Sequence, residues 1–266
     1  MKNNCKGENP LESVYTEIVK ALLFEIPSQF HSAALILIEE GRADEAIECY
    51  EKALQLDPKY LKALNNLGVL YKRQGRMREA KNVYLKAIKH DPSFSEAHNN
   101  LGNLLQLEND LKGAEECFRQ AIFLNTNYVD AYNSLGAVLQ AKGDIESAYI
   151  YYKKALVIDK KNEVTLNNLG NIQSILGKKV AALNYFRRAL KYFPTMSEAY
   201  YNRGNIFREQ GKLNRARLNY MKAVKFTSEF FDAYKKLYEV SVELGRKDDV
   251  KKYRVKLLAL RKIRSK

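Results

Sequence analysis

Residues 61–94 read LKALNNLGVLYKRQGRMREAKNVYLKAIKHDPSF, and most of the chain is a variation on this stretch. Gly68, Gly102, Gly136, Gly170 and Gly204 lie 34 residues apart. A second series at the same interval runs Gly41, Gly75, Asn109, Gly143, Gly177, Gly211 and Gly245. The two series hold 11 of the 13 glycines, and self-similarity at one fixed interval marks a repeat array. With Leu61 as position 1, units start at Pro27, Leu61, Ser95, Val129, Glu163, Ser197 and Phe231.

The periodicity inside a unit predicts helices. Position 7 is Leu67, Leu101, Leu135 and Leu169; position 20 is Ala in six units (Ala46 to Ala216), and position 27 is Ala in the same six (Ala53 to Ala223). Position 24 is aromatic: Tyr50, Tyr84, Phe118, Tyr152, Phe186 and Tyr220. Small and apolar residues recurring at intervals of three and four belong to one helical face. Each unit therefore reads as helix A (about positions 1–14) and helix B (about 18–31). Gly or Asn at position 15 suits the left-handed backbone that ends a helix. Gly at position 8 stands mid-helix at a cost of about 1 kcal/mol against Ala, which close approach of helix B would offset. The Ala of helix B allow the same approach, and the ring at 24 fills what remains. Asp57-Pro58 and Asp91-Pro92 are expected to stop helix B, with the Asp capping the next helix.

Leu67-Gly68-x-x-Tyr71, followed by Ala80, Tyr84, Ala87 and Pro92, resembles the tetratricopeptide repeat motif at its own spacing. The resemblance covers residues 27–266 and implies an all-α, right-handed superhelical solenoid of about seven helix pairs. It departs at position 32, where Thr126, Lys160 and Ser228 replace Pro. The last unit, with Tyr238, Val250 and Arg254 at positions 8, 20 and 24, reads as a terminal cap. Residues 1–26 read as a tail and a capping helix, because Leu11, Tyr15 and Ile18 repeat the 20-24-27 spacing.

Packing is expected to use positions 4, 7, 8 and 11 of helix A. By the family resemblance, positions 2, 5, 6, 9, 12 and 13 line a concave groove. Position 5 gives Asn65, Asn99, Asn133 and Asn167; position 6 gives Asn66, Asn100, Asn168 and Asn202; position 9 gives Asn103, Asn171 and Asn205. Asn inside a helix competes with it for backbone groups, so this excess suggests a compensating use. A carboxamide carries two donors and an acceptor and can pair with both groups of a peptide main chain. The array is similar to the superhelical repeat region of the O-linked N-acetylglucosamine transferases, where position 6 Asn form an amide ladder. That likeness singles out Asn66, Asn100, Asn168 and Asn202, with Ser134 interrupting the series. The opposing reading is that these amides bond only to neighbouring repeats. The family's other mode, a clamp for a C-terminal carboxylate, wants Lys at position 5, which holds no Lys before Lys235.

The net charge of +14 comes from 45 Lys+Arg against 31 Asp+Glu. The groove positions carry six basic and eight acidic residues, whereas positions 25, 26 and 29 of helix B carry twelve basic residues and one acid, Glu51. A polyanion in the groove is therefore disfavoured, and the positive field is assigned to the convex face. No apolar run reaches the ~18 residues of a membrane span, and three Cys do not make a disulfide scaffold, so a reducing cytoplasm is expected. His31, His90 and His98 lack metal-ligand spacing, and no catalytic constellation or Gly-rich phosphate loop is present. The expected function is a non-catalytic scaffold, without cofactor or metal, that binds an extended segment of a partner protein. The alternatives are the substrate-recognition part of a transferase complex, a basic adaptor contacting RNA or an anionic membrane, and self-association through end helices.

Overall fold

The structure, a computed structural model, describes residues 26–264; the capping helix expected within residues 10–25 lies outside them. The described residues are all-α, with helices α1 Pro27–Glu39, α2 Ala43–Leu56, α3 Leu61–Arg73, α4 Met77–His90, α5 Ser95–Leu107, α6 Leu111–Leu124, α7 Val129–Ala141, α8 Ile145–Ile158, α9 Glu163–Ile175, α10 Lys179–Tyr192, α11 Ser197–Glu209, α12 Leu213–Phe226, α13 Phe231–Glu243 and α14 Lys247–Arg264. Odd-numbered helices are the A helices and even-numbered ones the B helices. The chain forms two compact units divided inside α7, after Val138. In the first, each helix from α1 to α6 packs on the next, and α3 also meets α5. In the second, the same holds from α8 to α14, with α9 meeting α11.

The A-to-B turn is a Schellman motif. After α3, the Gly75 N–H donates to the Lys72 carbonyl at 3.1 Å and the Arg76 N–H to the Tyr71 carbonyl at 2.8 Å, with Gly75 at φ +77°. Asn109 stands in the same conformation at φ 62° after α5, since Asn tolerates the left-handed region better than most side chains.

Gly at position 8 marks the close approach of the paired helices. A Cβ on Gly102 would lie 2.7 Å from Phe118 Cε1, and one on Gly204 would lie 2.5 Å from Tyr220 Cε1. The position 24 rings are buried, as are the Ala at 20 and 27. Two layers of packing go beyond the sequence expectation. Position 3 (Ala63, Ala97, Ala131, Thr165, Ala199, Ala233) and position 10 (Leu70, Leu104, Val138, Ile172, Ile206, Val240) are buried too.

The capping expectation needs correction. Asp57 and Asp91 terminate α2 and α4, but their Oδ1 atoms accept the N–H of Lys59 and Ser93 in the turn itself. Side chains that do cap a following helix include Asp110, Asp144 and Asn162, which accept the N–H of Gly113, Ser147 and Thr165. An aspartate four residues before a helix cannot reach the N2 or N3 amide that an adjacent residue reaches.

Candidate functional site

The eleven asparagines divide by burial. Asn99 (4% exposed), Asn133 and Asn167 (6%), all at position 5, are buried, whereas every position 6 and position 9 Asn is half-buried. For these three the expectation of an open-face position is corrected, whereas Asn65, also at position 5, is half-buried. In these repeats position 5 lies beside the buried residues of positions 3 and 10 on the same helix.

Several amides join one repeat to the next. In the first unit, Asn100 Nδ2 donates to Asn65 Oδ1 at 2.7 Å. In the second, Asn202 Nδ2 donates to Asn167 Oδ1 at 3.1 Å, with the same 35-residue separation. Position 5 of one repeat thus answers position 6 of the following one. Asn100 and Asn202 each spend one N–H on this bond, which leaves the second N–H and the carbonyl of each amide outside it. Asn66 donates instead to Tyr50 Oη at 3.3 Å and meets His31 Nε2 at 3.1 Å. An amide nitrogen only donates, so His31 accepts in its neutral form. Burial, with Lys62 adding, lowers its pKa and favours that form. Asn99 shares a hydrogen bond with Tyr128, whose pKa is pushed up to about 12, chiefly by burial. The Asn99 Oδ1 is buried without a partner among the described residues.

Position 9 depends on the ring beneath it. Tyr220 donates its hydroxyl to Asn205 Oδ1 at 2.8 Å, so the carbonyl of that amide is engaged by the ring beneath it and its NH2 is not. Asn103 and Asn171 lie in repeats whose ring is Phe118 or Phe186, which has no hydroxyl to offer. Asn103 Oδ1 accepts from Ser134 Oγ at 3.3 Å, so the residue that interrupts the position 6 series is still tied to the amide row. Asn168 and Asn171 make no side-chain hydrogen bond among the described residues.

At the end of this face in the second unit, Arg208 binds Glu239 and Glu243, each at 2.5 Å, and Lys236 binds Glu239 at 3.1 Å. These carboxylates are neutralised from within. Among the described residues no cluster of three or more His, Cys, Asp or Glu could hold a metal ion, and no helix is long and apolar enough to cross a membrane. Cys49 and Cys117 are free half-buried thiols, and burial pushes that of Cys117 up to about 11. His98, half-buried, places Nε2 3.0 Å from the Pro92 carbonyl.

The family profile described as "Cilia and flagella-associated protein 70 C-terminal domain", a tetratricopeptide repeat domain, matches residues 27–242. The chain belongs to this family. Solved structures similar to this tetratricopeptide repeat chain include that of MamA, at 29% identity and a TM-score of 0.52, covering 59% of this chain and 92% of that one. A chain of the APC/C hetero-tetramer Cut9–Hcn1 is 16% identical with a TM-score of 0.76, covering 95% of this chain and 50% of that one. A tetratricopeptide repeat protein from Parabacteroides merdae is 18% identical with a TM-score of 0.70, covering 88% and 92%. The last two likenesses speak for the fold alone. No curated protein matches the repeat chain significantly.

Proposed function

We propose that this tetratricopeptide repeat chain is a non-catalytic, cytoplasmic protein-interaction scaffold whose position 6 and position 9 amides hold an extended segment of a partner protein. The supporting observation is the double engagement of Asn100 and Asn202. Each is a half-buried residue oriented by one hydrogen bond to the preceding repeat, a bond that uses neither its second N–H nor its carbonyl. A pre-oriented amide gives up little side-chain entropy on binding, so its hydrogen bonds to a main chain are retained as affinity. The opposing reading, amides that only join repeats, accounts for the position 5 partners but not for Asn168 and Asn171.

Replacing Asn66, Asn100, Asn168 and Asn202 together by Ala is expected to abolish partner capture in a pull-down read by mass spectrometry. The control is Asn65→Ala with Asn167→Ala, which breaks the same inter-repeat bonds from the other side. Capture should weaken less in the control, which loses the orienting bonds but keeps the position 6 amides; equal loss in both variants would show that the bonds serve only the array.

A further inference from the structure

A second surface of the second unit is lined by none of the candidate asparagines. Where the first half of α10 meets the second half of α11, an open depression of about 1050 Å³ is lined by Val180, Leu183, Asn184, Arg187, Arg203 and Phe207, among others. Val180 is 84% exposed. A smaller hollow of about 370 Å³ shares Arg203 and Phe207 and adds Arg215, Leu218 and Lys222. Arg203 stands at position 7, which is Leu in five of the seven units. A half-buried guanidinium has therefore replaced a packing residue, and its pKa is lowered, chiefly by burial, with Tyr200 opposing and Arg187 adding to the effect.

Inter-repeat seams elsewhere supply an internal carboxylate for such groups. Arg217 meets Asp249 at 2.7 Å, Lys81 meets Glu108 at 3.2 Å, and the Tyr71 hydroxyl donates to Glu51 at 2.7 Å. Arg187, Arg203, Arg215 and Lys222 form no ion pair among the described residues. Their neighbours include Asn184, at 2.7 Å from Arg187, and the rings of Tyr200 and Phe207. Glu209, further along α11, is held by Lys179 at 2.9 Å. Converging cations without counter-charges, beside exposed apolar side chains, complement a ligand that is acidic and apolar together.

We propose that this α10–α11–α12 surface docks an acidic amphipathic segment of a partner protein, its carboxylates meeting Arg187 and Arg203 and its apolar side chains covering Val180, Leu183 and Phe207. The geometry suits a peptide better than a nucleic acid, since the apolar lining would be left against a hydrated phosphate chain.

The test uses the full chain and a fluorescein-labelled peptide of tandem Glu-Glu-Leu-Phe blocks, followed by fluorescence polarisation. Arg203→Leu combined with Arg187→Gln is expected to weaken binding about tenfold or more, the scale of losing central charged contacts. Lys52→Gln with Lys86→Gln removes the same charge from the first unit and should leave affinity within about twofold. The peptide with Gln for Glu should bind about tenfold more weakly as well. Arg187→Gln alone, an exposed change, keeps the test open should the double variant fail to fold. The proposal is overturned by equal loss in the two double variants, by no binding of the acidic peptide, or by displacement of the peptide equally well by oligothymidylate or by inorganic phosphate.

Discussion

Tyr84 and Tyr220 hold the same position in their repeats and are equally buried, yet their hydroxyls differ in circumstance. Tyr220 donates to Asn205 at position 9, whereas position 9 above Tyr84 is Val69 and the Tyr84 hydroxyl has no partner among the described residues. A hydrogen bond contributes about 1 kcal/mol net, while a buried unpaired polar atom costs about 1–3 kcal/mol. Tyr220→Phe should therefore lower stability by about 1 kcal/mol in urea unfolding, and Tyr84→Phe should leave it unchanged or raise it. A loss of similar size in both variants would refute this assignment. The sequence showed a ring at 24 in six repeats and Asn at 9 in three. It could not show that these positions talk to each other, because the contact depends on how far helix A is rolled about its axis.

Helix A also shows what periodicity leaves out. Its glycines, its terminating turns and the rings of helix B were all legible, because each needs one residue type at one place. Positions 3 and 10 were legible in principle, as Ala and aliphatic residues recur there every 34 residues. Without them the buried stripe reads too narrow, and Asn99, Asn133 and Asn167 are assigned to the open face. The pairing of Gly102 with Phe118 gives a test at this scale. Gly102→Ala gains about 1 kcal/mol of helix propensity but forces a methyl against a buried ring, a conflict that costs about 1–3 kcal/mol. Net destabilisation is expected in thermal unfolding, and combining it with Phe118→Leu should recover part of the loss. A Gly102→Ala variant as stable as the native protein would mean that the ring shifts freely and that the helix spacing is not set here.

Across the molecule the charge of +14 resides mainly on helix B, and most of its basic residues at positions 25, 26 and 29 are exposed. Binding of single-stranded nucleic acid through that face should fall linearly in log affinity with log salt, at about −0.7 per phosphate contacted. Capture of a partner by the amides should vary little over the same range, since neutral hydrogen bonds release no counterions. Titration of both activities in one preparation checks this; a parallel decline would place both ligands on the cationic face. The placement of charge was readable from sequence, because solvent-facing helix positions follow from the repeat register alone. Arg203 was not, because a cation at a packing position becomes informative only when the surrounding side chains show that none of them neutralises it.

The turn after each A helix carries one further consequence. The hydrogen bonds at Gly75 recur at Asn109, Gly177 and Gly211, with φ between 62° and 77°. Each hairpin therefore closes on itself and asks nothing of distant sequence. A lineage could gain or drop a single hairpin and keep the junctions of its neighbours, so the reach of such a chain is easily altered while the spacing of its recognition groups stays constant.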